Sequence, residues 1–292
     1  MLLTQDPKPR IILGLMTFGP DESAGARITS LDEYNKILDY FQAQGYNEVD
    51  TARVYVGGQQ EAFTAAAHWK ERGLTLATKW YPYESGAHKP GVITAKFNES
   101  LAQLQTDCVD IFYLHAADRS LPFAETLRAV DALHRAGKFV QLGLSNFAAF
   151  EVAEVVMTCA ANGWVRPSIY QGMYNAITRS IEAELIPACR RYGLDIVVYN
   201  PIAGGIFSGK YKSADVPTEG RYSDSVGRLG ALYRKRHSAD PSVLSHPPNH
   251  VFTNPGSAAA TSYFKDATFE ALRLIEPVAA AHNLTLLEIA FR

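Results

Sequence analysis

Apolar positions along this chain gather in short, nearly unbroken runs, and longer stretches with a helical period separate them. The runs at 11–16, 46–50, 74–79, 109–115, 139–145, 168–171 and 195–199 predict seven β-strands, and their continuity marks strands buried on both faces. Strand alternating with helix predicts an α/β fold, a parallel sheet with helical crossovers. One crossover opens on Ser30-Leu31-Asp32-Glu33, a capping box in which the Ser30 hydroxyl and the Glu33 carboxylate each satisfy a free backbone N–H. The helix behind it sets Leu31, Tyr34, Leu38 and Phe41 on one face. Gly45, Gly73, Gly137 and Gly193 each stand between a helical segment and the next strand, where a left-handed residue ends a helix at little steric cost. Four glycines at corresponding points define a repeat unit.

The pattern breaks from about 223 to 262, where no period is sustained and the run from Ser238 to His250 is rich in turn formers. A structureless stretch of that length inside a compact domain predicts a lid, a disordered insert or a faulty gene model. Helical period returns over 265–281, and a further helix starts at Thr285. By this reading the chain is one domain over 1–292, with an irregular insert at about 237–262, and it stops at Arg292 before an eighth strand and its helix.

Composition narrows the function. With 28 basic and 30 acidic residues the net charge is -2, which gives no field suited to nucleic acid or an anionic membrane. A small neutral or anionic substrate fits better. Cys108, Cys159 and Cys189 are widely spaced and form no C-x-x-C pair, so they read as reduced thiols. No charged start followed by an apolar stretch opens the chain, and no apolar run approaches membrane-spanning length. A cytoplasmic protein is the expectation.

Titratable residues then stand out at consecutive strand ends: Asp50, Tyr55 in the loop after it, Lys79 and His115. Barrel enzymes keep their chemistry on that rim. Tyr has an unperturbed pKa near ~10 and is a sluggish acid at neutral pH, so a cationic Lys79 beside Tyr55 would lower that pKa. Asp50 would hold the ammonium by a charge-assisted hydrogen bond, and His115 would offer a neutral imidazole N–H to a carbonyl oxygen. Taken singly, a strand-end lysine is usually a solvated charge, a loop tyrosine packs half-buried, and a lone histidine is structural. The coincidence of all of them predicts a proton donor aimed at a carbonyl. His115 and Asp118 lack a third ligand at metal spacing.

Asp50-Thr51-Ala52-x-x-Tyr55, Ala77-Thr78-Lys79 and Tyr113-Leu114-His115 resemble, in order and spacing, segments of the aldo-keto reductases. Gly143-Leu144-Ser145-Asn146-Phe147, Tyr170-Gln171-Gly172-Met173-Tyr174-Asn175 and Tyr199-Asn200-Pro201-Ile202-Ala203-Gly204-Gly205 are similar to the aflatoxin-aldehyde and succinic-semialdehyde reductase branch. The resemblance implies a (β/α)8 TIM barrel, here lacking its eighth strand and last helix. It implies reduction of aldehydes or ketones by NADPH, with Tyr55 as proton donor. It also implies that Ser145, Asn146 and Gln171 bind the nicotinamide carboxamide, that Tyr199 stacks on the ring, and that Met16 and Thr17 lie beside the cofactor. The loop with Asn200, Pro201, Gly204 and Gly205, together with Lys210 and Arg221, would hold the phosphates. Partners would be a small carbonyl substrate and, by analogy with the branch, a second copy of the chain.

Two other classes compete. Gly204 to Lys210 fits G-x-x-x-x-G-K, the opening of a nucleotide-triphosphate loop, but Tyr211 stands where a magnesium-binding hydroxyl is needed. A non-catalytic barrel relic or binding subunit would keep the fold and lose the chemistry. No G-x-G-x-x-G follows a strand, so a dinucleotide would not be held in the Rossmann manner.

Overall fold

In the computed structural model, residues 9–213, 215, 217–218, 263 and 265–291 are described. Seven strands lie among them: β1 (Ile12–Gly14), β2 (Glu48–Asp50), β3 (Thr75–Trp80), β4 (Val109–Leu114), β5 (Phe139–Ser145), β6 (Pro167–Met173) and β7 (Asp195–Tyr199). They follow one another in the sheet in chain order. The helices are α1 (Leu31–Ala43), α2 (Gln60–Ala66), α3 (Pro90–Gln103), α4 (Phe123–Arg135), α5 (Ala149–Asn162), α6 (Leu185–Tyr192), α7 (Asp266–Ala281) and α8 (Leu286–Ala290). The expected insert and Arg221 lie outside the described residues. No described helix is long and apolar enough to cross a membrane.

Two compact units are distinguished, Met1–Gly143 with Met157–Pro167, and Leu144–Val156 with Ser168–Arg292. In the first, parallel ladders pair Leu13 with Val49, Val49 with Leu76 and Lys79 with Tyr113. β2, β3 and β4 read as apolar runs because both faces are covered, with Val49, Leu76, Ile111 and Phe112 all buried, whereas β1, and β7 in the second unit, are only partly buried despite their apolar runs. Phe97 of α3 meets Phe112 of β4 at 4.1 Å between ring centroids, and Phe139 of β5 lies 5.7 Å from Phe112. Each such burial stabilises by about 1.5–3 kcal/mol. Gly143 is required here, since a Cβ would come within 2.2 Å of the Tyr113 ring.

Strand boundaries moved where hydrogen bonds competed with apolarity. β2 starts late because the Tyr46 N–H is taken by the Phe41 carbonyl at the end of α1 (3.3 Å). β1 ends early because the Phe18 N–H turns back to the Leu15 carbonyl (3.0 Å). β3 runs one residue past Lys79, to Trp80. On α1, Tyr34 and Leu38 are buried as expected, whereas Leu31 is 38% exposed and lies off the core. Ser30 accepts from the Glu33 N–H at 3.4 Å, but the full reciprocal box forms at Thr285 and Glu288, which start α8. Gly193 ends α6 at φ 74°, and the same left-handed backbone recurs at Gly45, Gly73 and Gly137.

In the second unit β6 pairs with β7 in parallel, Gln171 opposite Val197 and Met173 opposite Tyr199. A cluster of Met173, Ile206, Phe207, Tyr263, Phe269 and Leu272 forms its core, with Leu286 of α8 packed against it. The Tyr263 hydroxyl is tied down by Asn175, whose Nδ2 donates at 2.9 Å. The three cysteines are free thiols, and burial pushes those of Cys159 and Cys189 up to about 11.

Candidate active site

All four strand-end residues fall in the first unit. Lys79 is fully buried and Asp50 is 8% exposed. The ammonium donates to the Asp50 carboxylate and, at 2.7 Å, to the Thr51 carbonyl. Its Nζ lies 5.1 Å from the centroid of the Tyr55 ring. Tyr55 and His115 meet edge to face at 6.0 Å, and Tyr81 meets His115 in the same way at 5.4 Å. The structure thus brings together Asp50, Tyr55, Lys79 and His115, with Lys79 one residue inside its strand and His115 one residue beyond the end of β4.

Electrostatics correct one expectation. Sequence reasoning has Lys79 pull the Tyr55 pKa down, but burial dominates, and with the Asp50 carboxylate it holds that pKa well above 10.0. The phenol is neutral and carries a proton at physiological pH. Burial likewise draws the Lys79 pKa below 10.5, against the upward pull of Asp50. His115 sits well below 6.5, through burial first and then the Lys79 charge and His88. It is therefore a neutral imidazole, as expected.

A second layer was not anticipated. Arg53 donates its backbone N–H to the Lys79 carbonyl (3.0 Å) and its guanidinium to the Gly58 carbonyl (2.7 Å) at the end of the turn that carries Tyr55. That guanidinium also pairs with Glu61, wholly buried on α2, at 3.2 Å. The other Glu61 oxygen accepts from Thr78, the neighbour of Lys79, at 2.6 Å. Thr51, Gln60 and Thr64 form a further buried chain, with Gln60 donating to Thr64 at 2.8 Å. Within the turn itself Val56 has φ 50°, costly for a β-branched residue, and its side chain fills the space over Gly19, where a Cβ would lie 2.8 Å from it. Nothing in local sequence signals these partners, because each contact joins separate elements.

Buried histidines make the unit acid-sensitive. Burial lowers the pKa of His88 from 6.5 to about 4, so between those values the unfolded chain binds a proton that the folded chain refuses. The stability from this group is complete above 6.5, and up to about 3 kcal/mol is lost as pH falls towards 4. His115 acts in the same direction, while Glu61, raised by burial, acts in the opposite one. Denaturant unfolding followed across this window is expected to show falling stability on acidification. A flat profile would contradict it.

The remaining expected residues divide between the units. In the first, Met16 and Thr17 form the turn after β1, where the Thr17 carbonyl accepts from Arg27 at 2.7 Å. In the second, Ser145 is fully buried and Gln171 is 9% exposed. Asn146 donates to the Ser145 hydroxyl (3.0 Å) and accepts from the Tyr199 hydroxyl (2.7 Å). Asn146 and Asn200, each just past a strand end, both have left-handed backbone, at φ 58° and 60°. Asn has the short side chain that tolerates this. Pro201 is half-buried and leads into the 3-10 turn Ala203–Ser208, with Gly204 and Gly205 at φ 66° and 103°. Lys210 is exposed beyond it. Among the described residues, 210–213 are not helical, whereas a nucleotide-triphosphate loop runs directly into a helix N-terminus. Among the described residues no cluster could hold a metal ion.

The model of the Aldo/keto reductase family matches residues 10–292. Aflatoxin B1 aldehyde reductase member 2 of Mus musculus is 44% identical over 212 residues, which cover 71% of this chain and 56% of that protein. Aldo-keto reductase pigE of Monascus ruber is 36% identical over 98% of this chain and 80% of its own length. Among solved structures, the aldo/keto reductase of Klebsiella pneumoniae in complex with NADP and acetate is similar, with a TM-score of 0.58 at 26% identity, covering 69% of this chain and 66% of that one. The chain thus spans little more than half the length of its mouse relative.

Proposed function

The chain belongs to the aldo/keto reductase family, and from that premise we propose that it reduces small aldehydes or ketones to alcohols with NADPH. The observation that carries this reading is the buried ammonium of Lys79, bonded to Asp50 and 5.1 Å from the ring of Tyr55. A phenol that forms its phenolate near such a cation is stabilised by about 3 kcal/mol at an effective dielectric constant near 20. Tyr55, neutral at rest, gives its proton to the oxygen of the carbonyl as negative charge develops there. His115, neutral by burial, donates an N–H to the same oxygen and orients it.

The second unit supports the cofactor assignment by its chemistry. A hydroxyl and two side-chain amides, on Ser145, Asn146 and Gln171, match the donors and acceptors of a carboxamide, and Tyr199 offers a planar face for a ring. The nicotinamide, when bound, supplies the hydride for the carbonyl carbon. Gly204, Gly205, Asn200, Pro201 and Lys210 would serve the phosphate end, where backbone N–H groups and a cation suit an anion.

Purified chain given NADPH with an aromatic aldehyde or succinic semialdehyde is expected to consume the cofactor, seen as loss of its near-ultraviolet absorbance. NADPH is also expected to quench the protein's fluorescence. Absence of both would overturn the reading and leave a non-catalytic barrel.

A further inference from the structure

The segment between β3 and α3 is fixed in place around one histidine. Trp80 donates its indole N–H to the Ala87 carbonyl (3.0 Å), and Thr126 donates its hydroxyl to the His88 carbonyl (3.0 Å). The His88 backbone N–H reaches an oxygen of Asp118 (3.0 Å). Asp118 also accepts from Ser120, whose hydroxyl accepts from the Gly86 N–H. His88 itself is 1% exposed. Its imidazole bonds the Trp80 carbonyl, the same oxygen that takes the backbone N–H of His115 at 3.1 Å. Both histidines therefore hang from a single carbonyl. One polar atom of His88 is left over: Nε2 is buried without a hydrogen-bond partner among the described residues.

A buried ring nitrogen without a partner is costly, and four hydrogen bonds to its own segment keep it where it is. With Nδ1–H donating to Trp80, neutral His88 has only a lone pair at Nε2. It needs a donor. We propose that His88 is a positioning residue for His115, its Nε2 accepting one proton of a bridging water whose other proton goes to His115 Nδ1. That arrangement forces the His115 hydrogen onto Nε2, the tautomer that donates to a carbonyl oxygen, because the hydrogen bond at one ring nitrogen decides the other. The role rests on the reductase reading above. The alternative wiring, a direct bond from His115 Nδ1–H to His88, would leave His115 Nε2 an acceptor.

Imidazole nitrogen-15 spectra of the full chain, with His88 and His115 signals identified by their loss in single variants, decide between these. Wild type is expected to show His115 as one neutral tautomer protonated at Nε2. His88→Asn keeps an amide donor for the Trp80 carbonyl and removes the Nε2 acceptor. It is expected to give a mixture of His115 tautomers and to lower kcat about tenfold, leaving the KM for NADPH unchanged. His88→Gln, whose amide reaches the Nε2 position, is expected to restore the single tautomer, and it serves if the Asn variant fails to fold. Protonation of wild-type His115 at Nδ1, or an unchanged tautomer in His88→Asn, overturns the proposal. The spectra need no turnover, so an inactive chain with the expected tautomers would refute the reductase reading and leave the part played by His88 standing.

Discussion

Tyr55→Phe is expected to lower kcat by roughly 10²–10⁴-fold, the range over which a positioned acid contributes. The substitution deletes a single hydroxyl. The ring keeps its edge contact with His115 and its place 5.1 Å from Lys79, so folding and NADPH binding should be little changed. The comparison is therefore a kinetic one, read from single-turnover and steady-state rates of cofactor consumption beside a fluorescence titration with NADPH. Turnover that survives the change at near wild-type rate would remove Tyr55 as the proton donor. A variant that no longer binds NADPH would instead show that the phenol holds the site together.

Lys79→Met is expected to abolish turnover and also to destabilise the protein by about 3–5 kcal/mol, the usual result of removing one member of a buried ion pair. Asp50, only 8% exposed, would be left with a carboxylate facing an apolar side chain. The Thr51 carbonyl would lose its donor as well. Adding Asp50→Asn to this variant takes away the stranded charge, so the double variant should regain part of the stability and none of the activity. Denaturant midpoints of the single and double variants give the coupling between the two residues. Equal stability of wild type and Lys79→Met would mean that the pair is not desolvated as described.

How much of this was legible in the chain depended on whether its cause was local. β5 and β7 coincide with the apolar runs at 139–145 and 195–199, because apolar runs and the turn residues that bound them act over a few positions. The cluster of Asp50, Tyr55, Lys79 and His115 could be anticipated because parallel strands deliver their ends to one rim. The electrostatic state of Tyr55 could not. A neighbouring lysine is visible in the sequence, but the desolvation that outweighs it comes from residues that only the fold brings around the ring. Glu61, Arg53 and His88 were missed for the same reason: as letters they are an ordinary helix acid, loop base and loop histidine, and only their burial and their partners distinguish them. Arg221 and the expected insert at 237–262 belong to residues outside those described.

Val56 gives the loop of Tyr55 a further property. Left-handed at φ 50°, it is held there by its contact over Gly19, a residue far away in sequence. Isolated from its unit, Val56 would lose the contact that offsets this strain, since a β-branched residue does not favour that backbone by itself. The placing of the Tyr55 ring is accordingly tied to the folding of the unit, because the strained residue beside it is held by a partner outside the turn.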